Sequence, residues 1–134
     1  MLQPRRIRRR KVHKRKLSKV THRGDYVSFG SYGLKAMTGS WVTSAQLESA
    51  RRTITRALQR GGKLWIRVFP DTPRTQKGAE VGMGGGAGSL SHFVAPVEAG
   101  RIIFEIDGVT NEVAAEAFRL AGHKLPIKTK IVTK

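Results

Sequence analysis

The glycine-rich run at residues 82–88 is the segment whose composition most suggests chemistry, because glycine-rich loops hold phosphate groups in many nucleotide-binding proteins. A nucleoside-triphosphate loop requires Lys-Ser or Lys-Thr directly after its last glycine, and neither pair follows Gly88. A dinucleotide-binding fingerprint requires a helix after the glycines, whereas residues 92–94 are typical of a strand. The run therefore predicts a flexible loop whose backbone can approach another surface closely.

The residue types that serve catalysis or metal binding are scattered along the chain. No two of the four histidines have metal-ligand spacing, and the absence of cysteine excludes thiolate zinc sites, disulfides and cysteine nucleophiles. The nearest acidic pair, Glu105 and Asp107, is predicted to share one face of a strand, but nothing in the sequence indicates a pocket around it. We therefore expect no enzyme activity, no metal, no cofactor and no small-molecule substrate.

Positive charge is concentrated at the start of the chain. The 134 residues include 26 Lys and Arg against 9 acids, a net charge of +17. Residues 1–24, which we call the arm, hold 11 of these cations and no acid, so the rest of the chain is only mildly basic. Such a segment repels itself and buries little, and we expect it to order only on a polyanion. The residues of the arm predicted to contact the phosphates of such a polyanion are Arg5, Arg6, Arg8, Arg9, Arg10, Lys11, His13, Lys14, Arg15 and Lys16.

Nucleic acid is favoured over membrane as that polyanion. No apolar run approaches the ~20 residues that span a bilayer, and no apolar stretch follows the basic start as it would in a secretory signal. The arm also has too few apolar residues for the amphipathic helix of a mitochondrial presequence, which favours a bacterial over an organellar protein. We expect no membrane partner.

Residues 25–134 are predicted to form one α+β domain with two helices and a mostly antiparallel sheet. The first helix is expected at residues 43–60 because Thr43 and Gln46 have the spacing of a capping box, and the second near Thr110 or Asn111. Strands are predicted at two short segments within 25–37, and at 63–69, 92–97, 101–107 and 127–133. Residues 98–100 are short enough to close a hairpin, and residues 74–91 are predicted to be a long loop.

Four arginines of the first helix are candidates for a ridge that faces phosphate. Arg52, Arg56 and Arg60 lie roughly opposite the apolar stripe, and Arg51 flanks them. The alternative is an ordinary solvated face, but such a face mixes both signs of charge and only Glu48 is near here. We favour the ridge. The other basic candidates for RNA contact in the domain are Lys35, Lys63 and Arg67; one or two of Tyr26, Tyr32, Trp41 and Trp65 could stack on unpaired bases.

Several blocks in fixed order carry a resemblance to a known family. They are Met-Leu-Gln-Pro at 1–4 before the basic run, Phe-Gly-Ser-Tyr-Gly-Leu-Lys-Ala at 29–36, Gly-Lys-Leu-Trp-Ile-Arg-Val-Phe-Pro-Asp at 62–71 and Lys-Leu-Pro-Ile-Lys-Thr at 124–129. Together they resemble the family of ribosomal protein sixteen of the bacterial large subunit, over the full length of the chain.

The resemblance implies a fold, a place and partners. It implies an α/β-hammerhead-like fold and a structural role in the large subunit of the cytoplasmic bacterial ribosome. It also implies binding to 23S-type rRNA beside the aminoacyl-tRNA site, with neighbouring large-subunit proteins and aminoacyl-site tRNA as partners and peptidyl-site tRNA as a further candidate. A free RNA- or DNA-binding regulator and an enzyme acting on RNA are the alternatives, and neither helix resembles a helix-turn-helix pair.

The central loop departs from the family pattern. The family loop reads Arg-Met-Gly-x-Gly-Lys-Gly, whereas this chain has Gly82 in place of the arginine, which can be hydroxylated in the family, and Ala87 in place of the lysine. We expect any contact of this loop with tRNA to use backbone groups and Met83 rather than cations. The residues of the expected tRNA-proximal loop are Gly82, Met83, Gly84, Gly85, Gly86 and Gly88.

Overall fold

The computed structural model describes all residues, Met1–Lys134, and contains two helices and seven strands. Neither helix, at 14 and 12 residues, has the length and apolar character needed to cross a membrane. In chain order the elements are β1 Tyr32–Ala36, β2 Ser40–Thr43, α1 Ser44–Ala57, β3 Lys63–Ile66, β4 Thr72–Gln76, β5 Ser89–Val97, β6 Ile102–Asp107, α2 Asn111–Gly122 and β7 Thr129–Thr133.

The strands form two separate antiparallel sheets. A four-stranded sheet has the order β3-β6-β1-β7, and a three-stranded sheet has the order β2-β5-β4. The helices pack on each other, and their apolar stripes share one core with the four-stranded sheet, in which Leu34, Leu47, Ile54, Phe104 and Phe118 are almost fully buried. The α+β prediction is confirmed.

Both helix starts agree with the sequence. The Thr43 hydroxyl accepts from the Gln46 N–H at 3.2 Å, and the Gln46 side chain accepts from the Thr43 N–H at 2.9 Å, so the capping box is present. Thr110 caps α2 by accepting from the N–H of Val113. The first helix ends at Ala57, three residues before the predicted end, because the chain then turns through left-handed conformations at residues 59 and 60.

The predicted hairpin of residues 92–97 and 101–107 is wrong. Strand β5 pairs with β2 and β4, whereas β6 pairs with β1 and β3, so the two strands belong to different sheets. Gly100 redirects the chain between the sheets at φ 96°, and its N–H donates to Ala36 O at 2.6 Å. Residues 98–100 are short enough to close a hairpin, but β5 and β6 each form hydrogen bonds with strands farther away in the sequence and not with each other.

The predicted 74–91 loop is too long at both ends. Residues 74–76 lie in β4 and residues 89–91 lie in β5, where Gln76 pairs with Ser89 and Thr75 with Leu90. The loop therefore consists of residues 77–88, which we call the central loop. The first of the two short strands predicted within residues 25–37 is also absent, because residues 25–31 cross the outer face of the four-stranded sheet and pair with the backbone of its strands only at Ser31, whose N–H donates to Ile106 O at 3.0 Å.

Candidate nucleic-acid interface

The arm presents its cations to solvent. All ten basic residues singled out between residues 5 and 16 are exposed. Among the Lys and Arg side chains of the arm, only Arg15 lies near a carboxylate, with Nη2 at 3.8 Å from Oε1 of Glu98. The arm is therefore a nearly unpaired row of positive charge.

The arm follows the domain surface and passes beside the central loop. Lys11 Nζ donates to the carbonyl oxygen of Ala87 at 3.1 Å, which joins the arm to the end of the loop. Farther along, the Thr21 N–H donates to Ala99 O at 2.9 Å, and Gly24 O accepts from the N–H of Ile102 at 2.8 Å. The last residues of the arm are thus attached to the domain, while its most basic part lies along the outside.

The four arginines of the first-helix region fall into two groups. Arg51 binds the Glu48 carboxylate through two nitrogens, and Arg52 Nε donates to the same carboxylate at 3.2 Å. The hydrogen bond from Arg51 is the main cause that lowers the pKa of Glu48 from 4.5 to about 2, and Arg52 adds to it against the effect of burial. Arg56 and Arg60 form no ion pair with any carboxylate. The proposed ridge therefore has a paired and an unpaired half.

Arg67 takes part in an internal ion pair with Glu105, the only fully buried charged residue. Arg67 Nη1 donates to Glu105 Oε1 at 2.7 Å, and the guanidinium side chain is only 17% exposed. The Glu105 carboxylate also accepts from the backbone N–H groups of residues 28, 29 and 30 at 2.7, 2.7 and 3.2 Å. Burial raises the pKa of this carboxyl, but these hydrogen bonds outweigh burial and hold the pKa below its ordinary value.

Sequence reasoning missed this structural role of Glu105. The available signal was a single acid inside the apolar run of β6, where a buried charge needs a partner. Asp107, two residues on, accepts from the Ser31 hydroxyl at 2.6 Å, so both acids bind the segment that crosses the sheet. Nowhere does the structure bring together three His, Asp or Glu side chains that could hold a metal ion.

The remaining basic candidates lie apart from one another in the four-stranded sheet. Lys35 is half-buried on the central strand β1, and Lys63 is exposed at the start of the edge strand β3. The arm cations thus follow one another along one exposed segment, whereas Lys35 lies on β1, and Lys63 and Arg67 lie at the start of β3 and directly after its end.

The tip of the central loop is open. Gly84, Gly85 and Gly86 have φ values of 96°, 73° and 84°, a region that other residues rarely adopt. Met83 is fully exposed, and a side chain placed at Gly82 would meet nothing within 4 Å. At the base of the loop, by contrast, a Cβ on Gly88 would collide with the carbonyl of residue 76. The loop thus combines a free tip with a tightly packed base.

Comparison with known proteins matches this chain to a family over nearly its whole length. The model of the family described as Ribosomal protein L16p/L10e matches residues 4–132. Proteins named large ribosomal subunit protein uL16 from Staphylococcus saprophyticus, Staphylococcus haemolyticus and Staphylococcus carnosus are 54%, 53% and 52% identical over 134 residues, which are 100% of this chain and 93% of each relative. The resemblance seen in the sequence is confirmed, and the chain belongs to the ribosomal protein L16p/L10e family.

Proposed function

We propose that this chain, a structural and non-enzymatic component of the large ribosomal subunit, binds 23S-type rRNA through its arm and helps to organise the aminoacyl-tRNA site. Family membership and the bacterial relatives make it a ribosomal protein of bacterial type, with its place in the cytoplasmic ribosome and with rRNA and ribosomal proteins as partners. The particular RNA, the site and the contact with tRNA are the proposal.

The unpaired charge of the arm is the observation that carries this proposal. Eleven cations lie in 24 residues, and a single long contact with Glu98 is their only ion pair within the chain. RNA phosphates supply the missing partners, and guanidinium groups bind phosphate in a bidentate manner. The release of counterions from RNA then favours association.

The proposed contact with tRNA depends on the position of the central loop beside the arm. Lys11 holds the end of the loop through the carbonyl of Ala87, so an RNA bound along the arm would lie close to the loop. The loop has one basic residue, Lys77, and one acid, Glu80, so its own charges cancel. Its contribution to tRNA binding would come from backbone N–H groups and from Met83.

The test is to replace the nine Lys and Arg residues between positions 5 and 16 with Gln, and to measure binding to 23S-type rRNA over a range of salt concentrations. The replacement keeps the length of the arm and the attachments at Thr21 and Gly24. Each lost phosphate contact should reduce the slope of log K against log salt by about 0.7–0.9, so the slope should fall by several units.

A matched control changes Lys124, Lys128 and Lys130 to Gln, because these cations lie at the other end of the chain. For each charge removed, the slope of log K against log salt should fall less in the control than in the arm variant. An arm variant whose salt dependence equals that of the parent protein would contradict the proposal.

A further inference from the structure

An aromatic pair, the exposed Phe29 and the half-buried Trp65, lies at the β3 edge of the four-stranded sheet. The Phe29 ring stacks on the Trp65 ring with centroids 6.2 Å apart and planes 21° apart. The Arg67 guanidinium carbon lies 5.1 Å from the centroid of the Phe29 ring. Phe29 nevertheless remains 58% exposed. The outer part of the ring is therefore free for a ligand.

The buried carboxylate of Glu105 fixes the position of this ring. Its Oε2 accepts from the N–H of Phe29 at 2.7 Å, and the N–H groups on either side also bind Glu105. Gly30 lies so close to the backbone of Ile106 that a Cβ there would stand 2.5 Å from its carbonyl oxygen. The backbone that carries Phe29 is thus held on both sides. A preformed aromatic surface loses little entropy when it binds a ligand.

The charges around the pair favour a nucleic-acid ligand over an apolar protein surface. Lys63 lies two residues before Trp65 on β3, and Arg67 lies two residues after it, directly past the end of β3, where its N–H still donates to Ile103 O at 2.8 Å. In an extended chain, both cations therefore point to the same side as the indole. The acid at this position, Glu105, is fully buried and is paired with Arg67. Asp107, the next acid on β6, has Lys63 and Lys134 close enough to help lower its pKa, after the hydrogen bonds from Ser31 and Gly108.

We propose that Phe29 and Trp65 form a stacking platform for one unpaired base of rRNA, and that Lys63 and Arg101 contact the phosphates that flank this base. Arg101 extends the positive edge because its guanidinium donates to the carbonyl oxygens of Arg67 and Arg23. Aromatic rings bind unpaired bases through stacking, without requiring a particular sequence. This inference rests on the proposed binding of 23S-type rRNA.

The experiment uses the full chain with Trp41→Phe, so that Trp65 is the only tryptophan. This protein is titrated with 23S-type rRNA while Trp65 fluorescence and affinity are measured together. A base stacked on the pair should quench Trp65. Phe29→Ala should weaken binding about 5- to 100-fold and should leave the salt slope unchanged, because no phosphate contact is lost.

Three further variants separate stacking from simple apolar contact and from misfolding. Phe29→Tyr keeps the ring and should bind like the parent, whereas Phe29→Leu keeps apolar bulk and should bind as weakly as Phe29→Ala. Phe69→Ala is the matched control, because Phe69 is 46% exposed near the same edge but has no ring partner. It should leave both the affinity and the fluorescence response unchanged.

The outcomes distinguish this inference from the function on which it rests. The platform would be overturned if Phe29→Ala bound rRNA with parental affinity and if rRNA did not quench Trp65. If binding still depended steeply on salt through the arm, the rRNA proposal would remain intact. A Phe29→Ala protein that binds rRNA normally but enters large subunits poorly would also overturn it, since the pair would then contact a neighbouring protein. Failure of the parent protein to bind the rRNA would remove both proposals.

Discussion

The arm and the folded domain both carry many arginines, but the surroundings of those arginines differ. In the arm, Arg15 is the only arginine with a carboxylate nearby, and the distance of 3.8 Å to Glu98 is long. In the domain, Arg51 and Arg67 hold their carboxylates through short, directed hydrogen bonds, and Arg67 does so inside the protein. Arginine side chains of the arm are thus free to bind a ligand, whereas those of Arg51 and Arg67 form ion pairs that stabilise the fold.

The difference shows that the position of the acids decides what an arginine can do. Glu48 pairs with Arg51 and Arg52 of α1, and Glu105 pairs with Arg67, directly after β3. Residues without such an acid, such as Arg56, remain free for phosphate. The number of cations on a helix or strand overestimates how many can bind RNA, because some of them form ion pairs that stabilise the fold.

The largest effect is expected from a variant that breaks the buried ion pair between Arg67 and Glu105. Glu105→Gln keeps the volume of the side chain but removes the charge that Arg67 and three backbone N–H groups share. We expect a loss of about 3–5 kcal/mol in the free energy of unfolding, because a buried charge is left without its partner. Denaturant unfolding followed by circular dichroism measures this loss.

The control for this variant is Glu116→Gln, which removes an exposed pair with Arg119. An exposed ion pair contributes only about 0–1 kcal/mol, so the control should unfold almost like the parent. Equal losses in the two variants would mean that the buried pair is no more important to the fold than a surface pair.

The next prediction compares the two halves of the arginine ridge. Arg56→Gln with Arg60→Gln should leave unfolding nearly unchanged and should reduce the salt slope for rRNA binding by about 1.5 units if each side chain binds one phosphate. Arg51→Gln with Arg52→Gln should instead lower stability by about 1 kcal/mol and change the salt slope less, because Glu48 loses its partners. The reverse pattern would assign the RNA contact to the paired half.

A smaller effect is expected from acid. The pKa of Glu48 is lowered from 4.5 to about 2 in the folded chain, first through the hydrogen bond from Arg51. Its stabilising contribution is therefore complete above about pH 4.5 and is lost as the pH falls towards 2. Glu48→Gln should flatten the fall in unfolding free energy between these pH values. A parental acid response in this variant would show that Glu48 does not contribute to it.

The smallest effect concerns the central loop, which lacks the cations of the arm. Gly82→Arg with Ala87→Lys adds two charges beside the arm, and the open surroundings of Gly82 accept a side chain. Stability should remain the same, while aminoacyl-tRNA binding to reconstituted subunits should strengthen a few-fold, with a steeper salt dependence. Gly88→Arg is the contrasting control, because its Cβ has no room. Unchanged tRNA binding in the double variant would argue against a loop that faces tRNA.

Local signals predicted much of the fold. The capping box at Thr43 and the cap at Thr110 place both helix starts, because these signals depend on residues within one turn. Alternating apolar residues located five of the seven strands, although with imprecise ends, and missed β2 and β4. What failed was the pairing of β5 with β6, since strand partners are chosen by contacts between residues far apart in the sequence.

The candidate site could be predicted only in part, for the same physical reason. The exposed arm follows directly from composition, because a segment with many cations and little apolar surface cannot be buried. Periodicity alone does not predict the other contacts of the site. Arg67 pairs with Glu105, Arg51 and Arg52 share Glu48, and Phe29 stacks on Trp65. Aromatic candidates were visible in the sequence, but Phe29 was not among them.

The order of strands in the four-stranded sheet has a consequence for synthesis. Strand β1 lies between β6 and β7, which begin only at Ile102 and Thr129. The first strand to be synthesised therefore cannot pair on both sides until the last strand has been made. At about 5–20 residues per second, that interval lasts roughly 5–20 s. During this time the arm is complete and carries its full charge, while the core of the sheet is still open. A newly made chain is thus able to attract RNA before it has a folded domain to dock.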